Sequence, residues 1–179
     1  VFERACGSIE SCDLMTSYRS SPEITALFTS LLDDEKRVRV ESVQPAGTDP
    51  VIIECADDVD YAAQLRAAVE EALEDRCLAA IIAPDARRMA KLEDMLGGLP
   101  IVIPARKEAI PDHGVVLLDI ALAKGLEFDQ VIVPDVQQRS YPDETLARHR
   151  LYTAISRATR KVTLLSLIHI SEPTRPLYI

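Results

Sequence analysis

The sequence predicts an α/β fold in which helices cover both faces of a mostly parallel sheet, giving three layers. Three observations lead there. Short apolar runs at Cys77–Ala83, Ile101–Ile103, Val115–Leu118 and Val131–Val133 are bounded by turn residues, as buried parallel strands are. Between them lie stretches of helical period, clearest at Tyr61–Glu74 and Ala86–Leu96. The resulting β-α-β-α-β-α-β order suits right-handed crossovers on one sheet. With 179 residues and 47% hydrophobic content the chain can bury one sizeable core, and disorder is excluded.

In chain order, Leu14–Thr16 reads as a short strand leading into Ser17-Tyr18-Arg19. A helix follows, with Ser20 as its cap, Pro22 in the first turn and Glu23 three residues after the cap. Its apolar stripe is Ile24, Leu27, Leu31 and Leu32, and the charged run Asp33–Arg37 closes it. Arg19 thus falls where a strand meets a helix N-terminus. Val38–Val43 and Val51–Glu54 read as strands separated by the turn Gln44–Pro50. Asp57, Asp58 and Asp60 lack the spacing and glycine of a calcium loop and read as a solvated acidic helix start. In helix Tyr61–Glu74 the stripe is Leu65, Val69 and Leu73. In Ala86–Leu96, Met89, Leu92 and Leu96 face the sheet, while Arg87, Arg88 and Lys91 face water, and Gly97-Gly98 stops the helix.

The stretch Leu117–Val136 organises the rest. It reads as strand, Lys124-Gly125 turn, acidic connector and second strand. A glycine between a cation and the carboxylate of Glu127, at a strand end, is an arrangement α/β proteins use to hold ligands. Pro142-Asp143-Glu144 opens a last helix, expected to run to about Ala158 with Leu151, Ala154, Ile155 and Ala158 buried. Arg148, Arg150, Arg157, Arg160 and Lys161 make this end locally basic, and Val162–Leu165 is the next strand.

Three blocks in this order carry a family resemblance. Ala123-Lys124-Gly125-Leu126-Glu127-Phe128, with the strand after it, resembles motif V of superfamily 1 DNA helicases of the UvrD/Rep type, in spelling closest to the DNA helicase IV-like group. Ser17-Tyr18-Arg19-Ser20-Ser21 resembles motif IV, and Leu151–Ala158 resembles motif VI. The resemblance spans about Leu14 to Leu164. It implies a RecA-like P-loop NTPase fold, with residues 1–164 forming the second of two motor domains. It further implies an ATP-dependent helicase or translocase, travelling 3′ to 5′, with ATP and Mg²⁺ as cofactors and single-stranded or duplex DNA as partner.

The resemblance also distributes roles. Arg157 is the candidate transition-state arginine and Arg19 the second catalytic candidate, since a planar guanidinium binds phosphate oxygens in a fork. The alternative for Arg157 is an arginine placed at a helix C-terminus by the dipole. Glu127 would accept a hydrogen bond from the ribose. Gly125 would let the backbone approach the nucleotide, Lys124 would contact phosphate, and Tyr18 completes the nucleotide-binding set. Many relatives have a DNA-contacting histidine in a Thr-x-His pattern where this chain has Asp119-Ile120-Ala121. That departure puts the usual DNA contact in doubt and favours the helicase IV-like or the RNA-polymerase-associated branch, so an RNA-polymerase-associated remodelling ATPase is the alternative function.

Other properties bound these readings. No Gly-x-x-x-x-Gly-Lys-Thr/Ser sequence occurs, so the phosphate cradle and Mg²⁺ carboxylates are expected on a first RecA-like domain of the same parent chain, and this chain alone is expected to be inactive. The net charge of −9 opposes nucleic-acid binding except through a local basic strip. Cys6, Cys12, Cys55 and Cys77 lack metal-ligand spacing and read as free thiols in a reducing, cytoplasmic setting. The histidines form no metal constellation, and no apolar span or signal peptide is visible. Val1 is not an initiator Met, and the last residues, from Leu165, resemble the translation of a sequencing adapter. The expectation is a fragment truncated at both ends with a non-native tail at 165–179.

Overall fold

The computed structural model describes residues 16–32, 40–137 and 139–167. A six-stranded sheet forms the centre: β3 (Val51–Cys55), β4 (Leu78–Ala83), β5 (Ile101–Val102), β6 (Gly114–Asp119), β7 (Phe128–Val133) and β8 (Ala158–Leu167). Their spatial order is β3-β8-β7-β4-β6-β5, and every neighbouring pair is parallel. A small second sheet pairs β1 (Thr16–Ser17) with β2 (Glu41–Ser42), also in parallel.

Strand alternation divides the core between the two faces. Ala80 and Ile82 of β4, Val116 and Leu118 of β6, and Val131 and Val133 of β7 pack on one face. There they meet α1 (Pro22–Ser30), the short α4 (Ile120–Ala123) and α5 (Thr145–Ile155). Ala79, Ile81, Ala83, Val115, Leu117 and Ile132 pack on the other, against α2 (Asp58–Glu74) and α3 (Ala86–Met95). Each fully buried Leu or Ile contributes about 1.5–3 kcal/mol. This is the three-layer arrangement around a parallel sheet expected from the order of elements.

Local chemistry sets the helix ends. Asp57 caps α2, its carboxylate accepting from the amides of Val59 and Asp60 at 2.9 Å, so the acidic run is a helix start as expected. Leu65 and Val69 are fully buried. Ala72 completes the buried stripe, with Leu73 only partly covered. Asp85 caps α3 through the amide of Arg88 at 2.8 Å.

Several boundaries differ from the expectation, each for a physical reason. The α1 cap is Ser21 rather than Ser20; its Oγ accepts from Ile24 N at 3.5 Å. Ser20 is drawn away because its hydroxyl donates to the Ala158 carbonyl at 2.6 Å. Glu23 instead accepts from Gly47 N at 2.9 Å, and that bond holds its carboxyl below the ordinary value of 4.5. Phe28, absent from the expected stripe, is buried edge-on against Tyr152. The connector after β6 contains α4, capped when Asp119 Oδ1 accepts from Leu122 N at 2.8 Å. Arg88 does not face water: its fork holds Asp135.

The last helix stops at Ile155, not Ala158, because Ala158 pairs with Phe128 and begins β8. That strand continues to Leu167. Leu165 is fully buried, and Leu165, Ser166 and Leu167 pair with Ile53, Glu54 and Cys55. The expected boundary before 165 therefore falls inside a strand. Leu14, Met15, Asp33–Arg37, Val38 and Arg39 lie outside the described residues, as does the tail from 168.

Candidate functional site

Two serine contacts bring the segment carrying Arg19 to the start of β8, and a third ties it to β2. Ser20 Oγ donates to Ala158 O at 2.6 Å, Ser21 N donates to Thr159 O at 3.1 Å, and Ser42 Oγ donates to Ser20 O at 2.6 Å. Ser20 and Ser21 are almost fully buried. They fix the chain immediately after the arginine, whose side chain is 40% exposed. Sequence reasoning offered Ser20 only as a cap. Its positioning role had no local signal, because its acceptor lies 138 residues away.

The same end of the sheet receives the connector before β7. Arg19 Nε donates to Glu127 Oε1 at 2.6 Å. Arg157, in the turn between α5 and β8, donates from Nη1 to Leu126 O at 3.3 Å, and its carbonyl accepts from Phe128 N at 2.9 Å. Arg19, Glu127 and Arg157 therefore converge at the N-terminal ends of β7 and β8, although 138 residues of chain separate the two arginines. Gly125 sits in the exposed turn beside them with φ 83°, where a side chain would strain the backbone. Lys124 is exposed, and its carbonyl accepts from Lys107 Nζ. Tyr18 is 73% exposed, and its carbonyl accepts from Gln44 Nε2.

Arg157 is a half-buried cation with two claims on it. Its Nε donates to Thr153 O at 3.1 Å and its Nη2 to Ser156 Oγ at 3.0 Å, so it does sit on the C-terminal turn of α5. With the bond to Leu126, three of its five N–H donors are used. The remaining two are open to an anion. Burial lowers its pKa first, the positive charge of Arg19 lowers it further, and Glu127 opposes both. Two guanidinium groups near one another, one already desolvated, make a place where an incoming anion relieves repulsion. Lys107 adds a third cation at the Gly125 turn, its Nζ 3.5 Å from where a Cβ at that position would stand. Seventeen residues from Lys124 and in no motif, it carried no sequence signal.

Other polar groups are committed elsewhere. The basic residues near the last helix do not form one strip. Arg148 lies 3.8 Å from Asp143, Arg150 donates to Pro84 O, and Lys161 pairs with Glu71 at 2.6 Å. A cleft of about 680 Å³ opens beside this site, lined by Asp75, Cys77, Asp129, Gln130, Arg160 and Lys161 among others, and excludes the two convergent arginines. Its carboxylates serve the fold: Asp75 accepts from Gln130 at 2.5 Å and Asp129 from Leu78 N at 3.1 Å. At the opposite end of the sheet, Asp135 is held by Arg88 at 2.5 and 2.8 Å, and Arg88 lies 5.5 Å over the Tyr61 ring. Among the described residues no group of three or more His, Cys, Asp or Glu could hold a metal ion, and no helix is long and apolar enough to cross a membrane.

Comparison with known proteins bears on this arrangement. Residues 114–165 match the profile of the UvrD-like helicase C-terminal domain. The matched segment carries Gly125, Glu127 and Arg157. Among solved structures, the C-terminal domain of a possible DNA helicase from Lactobacillus plantarum WCFS1 is 26% identical. It superposes with a TM-score of 0.70 over 84% of this chain and 88% of that one. The PRRSV nsp10 helicase is 13% identical, with a TM-score of 0.44 over 69% of this chain and 27% of that one. No curated protein matches the sequence. Residues 114–165 thus resemble the UvrD-like helicase C-terminal domain, and the sheet around them has the RecA-like fold of a helicase C-terminal domain.

Proposed function

We propose that this chain is the motif IV-to-VI half of an ATP-dependent DNA helicase or translocase of the helicase IV-like type, its second motor domain including the whole of β8 to Leu167. The observation that carries the reading is the convergence of Arg19, Glu127 and Arg157 beside an open glycine turn. Phosphoryl transfer needs little covalent help from the protein. It needs donors placed where charge develops on the transferring group. Arg19 and the two free N–H groups of Arg157 supply such donors. Glu127 supplies an acceptor for a ribose hydroxyl, Lys124 a further cation, and Tyr18 an exposed ring for the base.

ATP brings the bond that is broken, and a first RecA-like domain of the same parent supplies the cradle for its phosphates. The motif resemblance assigns the Mg²⁺-binding carboxylates to that domain as well, and no step here runs through the metal. Closure of the two domains on ATP and reopening after hydrolysis would move the protein along one strand. DNA as the track follows the Lactobacillus relative, and 3′-to-5′ travel follows the motif resemblance.

A second reading has its own observation. Asp119 occupies the start of the expected Thr-x-His pattern, and its carboxylate is used to cap α4; Ala121 offers no polar contact. That suits an RNA-polymerase-associated remodelling ATPase of the same fold. Measuring ATP hydrolysis by the full-length gene product with single-stranded DNA, duplex DNA and RNA polymerase in turn separates the two. Stimulation by DNA with strand separation is expected; stimulation by polymerase alone would select the second reading.

A further inference from the structure

The ion pair between Arg19 and Glu127 joins the group assigned to the phosphates to the group assigned to the ribose. We infer that this pair makes the site read phosphate and ribose together, so that it selects nucleotides against polyphosphates that lack a sugar; the inference rests on the nucleotide reading above. Nε of Arg19 stands 2.6 Å from Oε1 of Glu127, with both side chains partly exposed and accessible to a ligand. A polyphosphate that draws Arg19 away leaves the Glu127 carboxylate unpaired and facing another anion. A ribose hydroxyl arriving alone must displace a charged donor from Oε1, and a neutral O–H is the weaker partner. A nucleotide does both at once: its phosphates take the guanidinium while its ribose takes the carboxylate.

The test is binding of sodium tripolyphosphate and of ATP to this chain, followed by NMR at fixed ionic strength, in the native sequence, Arg19→Ala, Glu127→Gln and the double variant. An exposed ion pair is worth little, so releasing Arg19 through Glu127→Gln should tighten tripolyphosphate by about two- to five-fold. It should weaken ATP, collapsing the preference for ATP over tripolyphosphate. Removing any carboxylate favours a polyanion, and the double variant isolates the pair. The gain from Glu127→Gln should vanish in the Arg19→Ala background. A gain that persists there, or no gain at all, overturns the inference. Unchanged tripolyphosphate binding in Arg19→Ala alone would instead sink the nucleotide reading, and the inference with it.

Discussion

Arg157 shows how one side chain can hold both meanings the sequence allows. It closes the C-terminal turn of α5 and still presents two donors beside Arg19. Replacing it with alanine should therefore cost activity chiefly in the rate of the full-length enzyme. Its contacts to phosphate would strengthen as charge develops, so kcat should fall about 100-fold or more with a smaller change in nucleotide affinity. Glu127→Ala should act mainly on nucleotide binding. Steady-state kinetics on both variants checks the division: an Arg157→Ala enzyme with native kcat would leave only the helix-end role. At the other end of the sheet, Asp135 is 4% exposed and has φ 57°, a conformation Asp tolerates better than most residues. Removing its carboxylate leaves the partly buried Arg88 without its partner. Asp135→Ala should cost about 2 kcal/mol, below the range for a fully buried pair because Arg88 retains some water. That corresponds to a loss of roughly 4–8 °C in Tm by thermal melting. Asp135→Asn, which keeps the left-handed tolerance and an acceptor, should lose less.

At the scale of elements, β8 connects the motif-bearing part of the chain to the edge of the sheet. It lies between β3 and β7, so its hydrogen bonds are shared on both sides. Leu165 fills the α2–α3 face of the core, and its carbonyl accepts from Val136 N at 2.8 Å. Cutting the chain after Leu164 should remove about 1.5–3 kcal/mol of side-chain burial and the β3 pairing beyond it. Thermal melting of the two truncations makes the comparison. The cut after Leu164 should melt several degrees lower than one after Leu167, which keeps the strand whole; equal melting would mean that β3 needs no partner there. The same element explains why α5 is shorter than its apolar stripe suggested. Leu151, Ala154 and Ile155 are buried by the helix, but Ala158 is buried by the sheet. A residue one helical turn after Ala154 satisfies the helical period whether or not it is helical.

For the whole molecule, the proposed function makes this arrangement half of a catalytic centre. Convergent arginines and a carboxylate are present at one end of the sheet, while the glycine-rich cradle that would hold the β- and γ-phosphates has no counterpart in the sequence. The chain alone should therefore show no turnover of ATP above background in a phosphate-release assay, even with single-stranded DNA added. Turnover at the rate of a complete helicase would defeat the half-site argument. The surface charge agrees with a division of labour. Acidic groups of α2 face solvent on one side, and the free arginine donors lie at the N-terminal ends of β7 and β8.

The sequence by itself determined the layer architecture, because period-2 and period-3.6 patterns are local and the apolar strands Leu78–Ala83, Gly114–Asp119 and Phe128–Val133 could face nothing but two layers of helix. It also placed Arg19, Gly125, Glu127 and Arg157 in three short blocks whose spelling resembled one family. What it left open were properties that depend on a distant partner. Ser20 is a tether rather than a cap because Ala158 stands beside it. Arg88 is a partly buried clamp rather than a fully solvated cation because Asp135 pairs with it. The helix before Arg157 ends where β7 offers a strand to pair with. Local propensity ranks the conformations a segment can adopt. Tertiary structure chooses among them by supplying hydrogen bonds and burial from residues tens of positions away, each contribution comparable to or larger than the local preference it overrides.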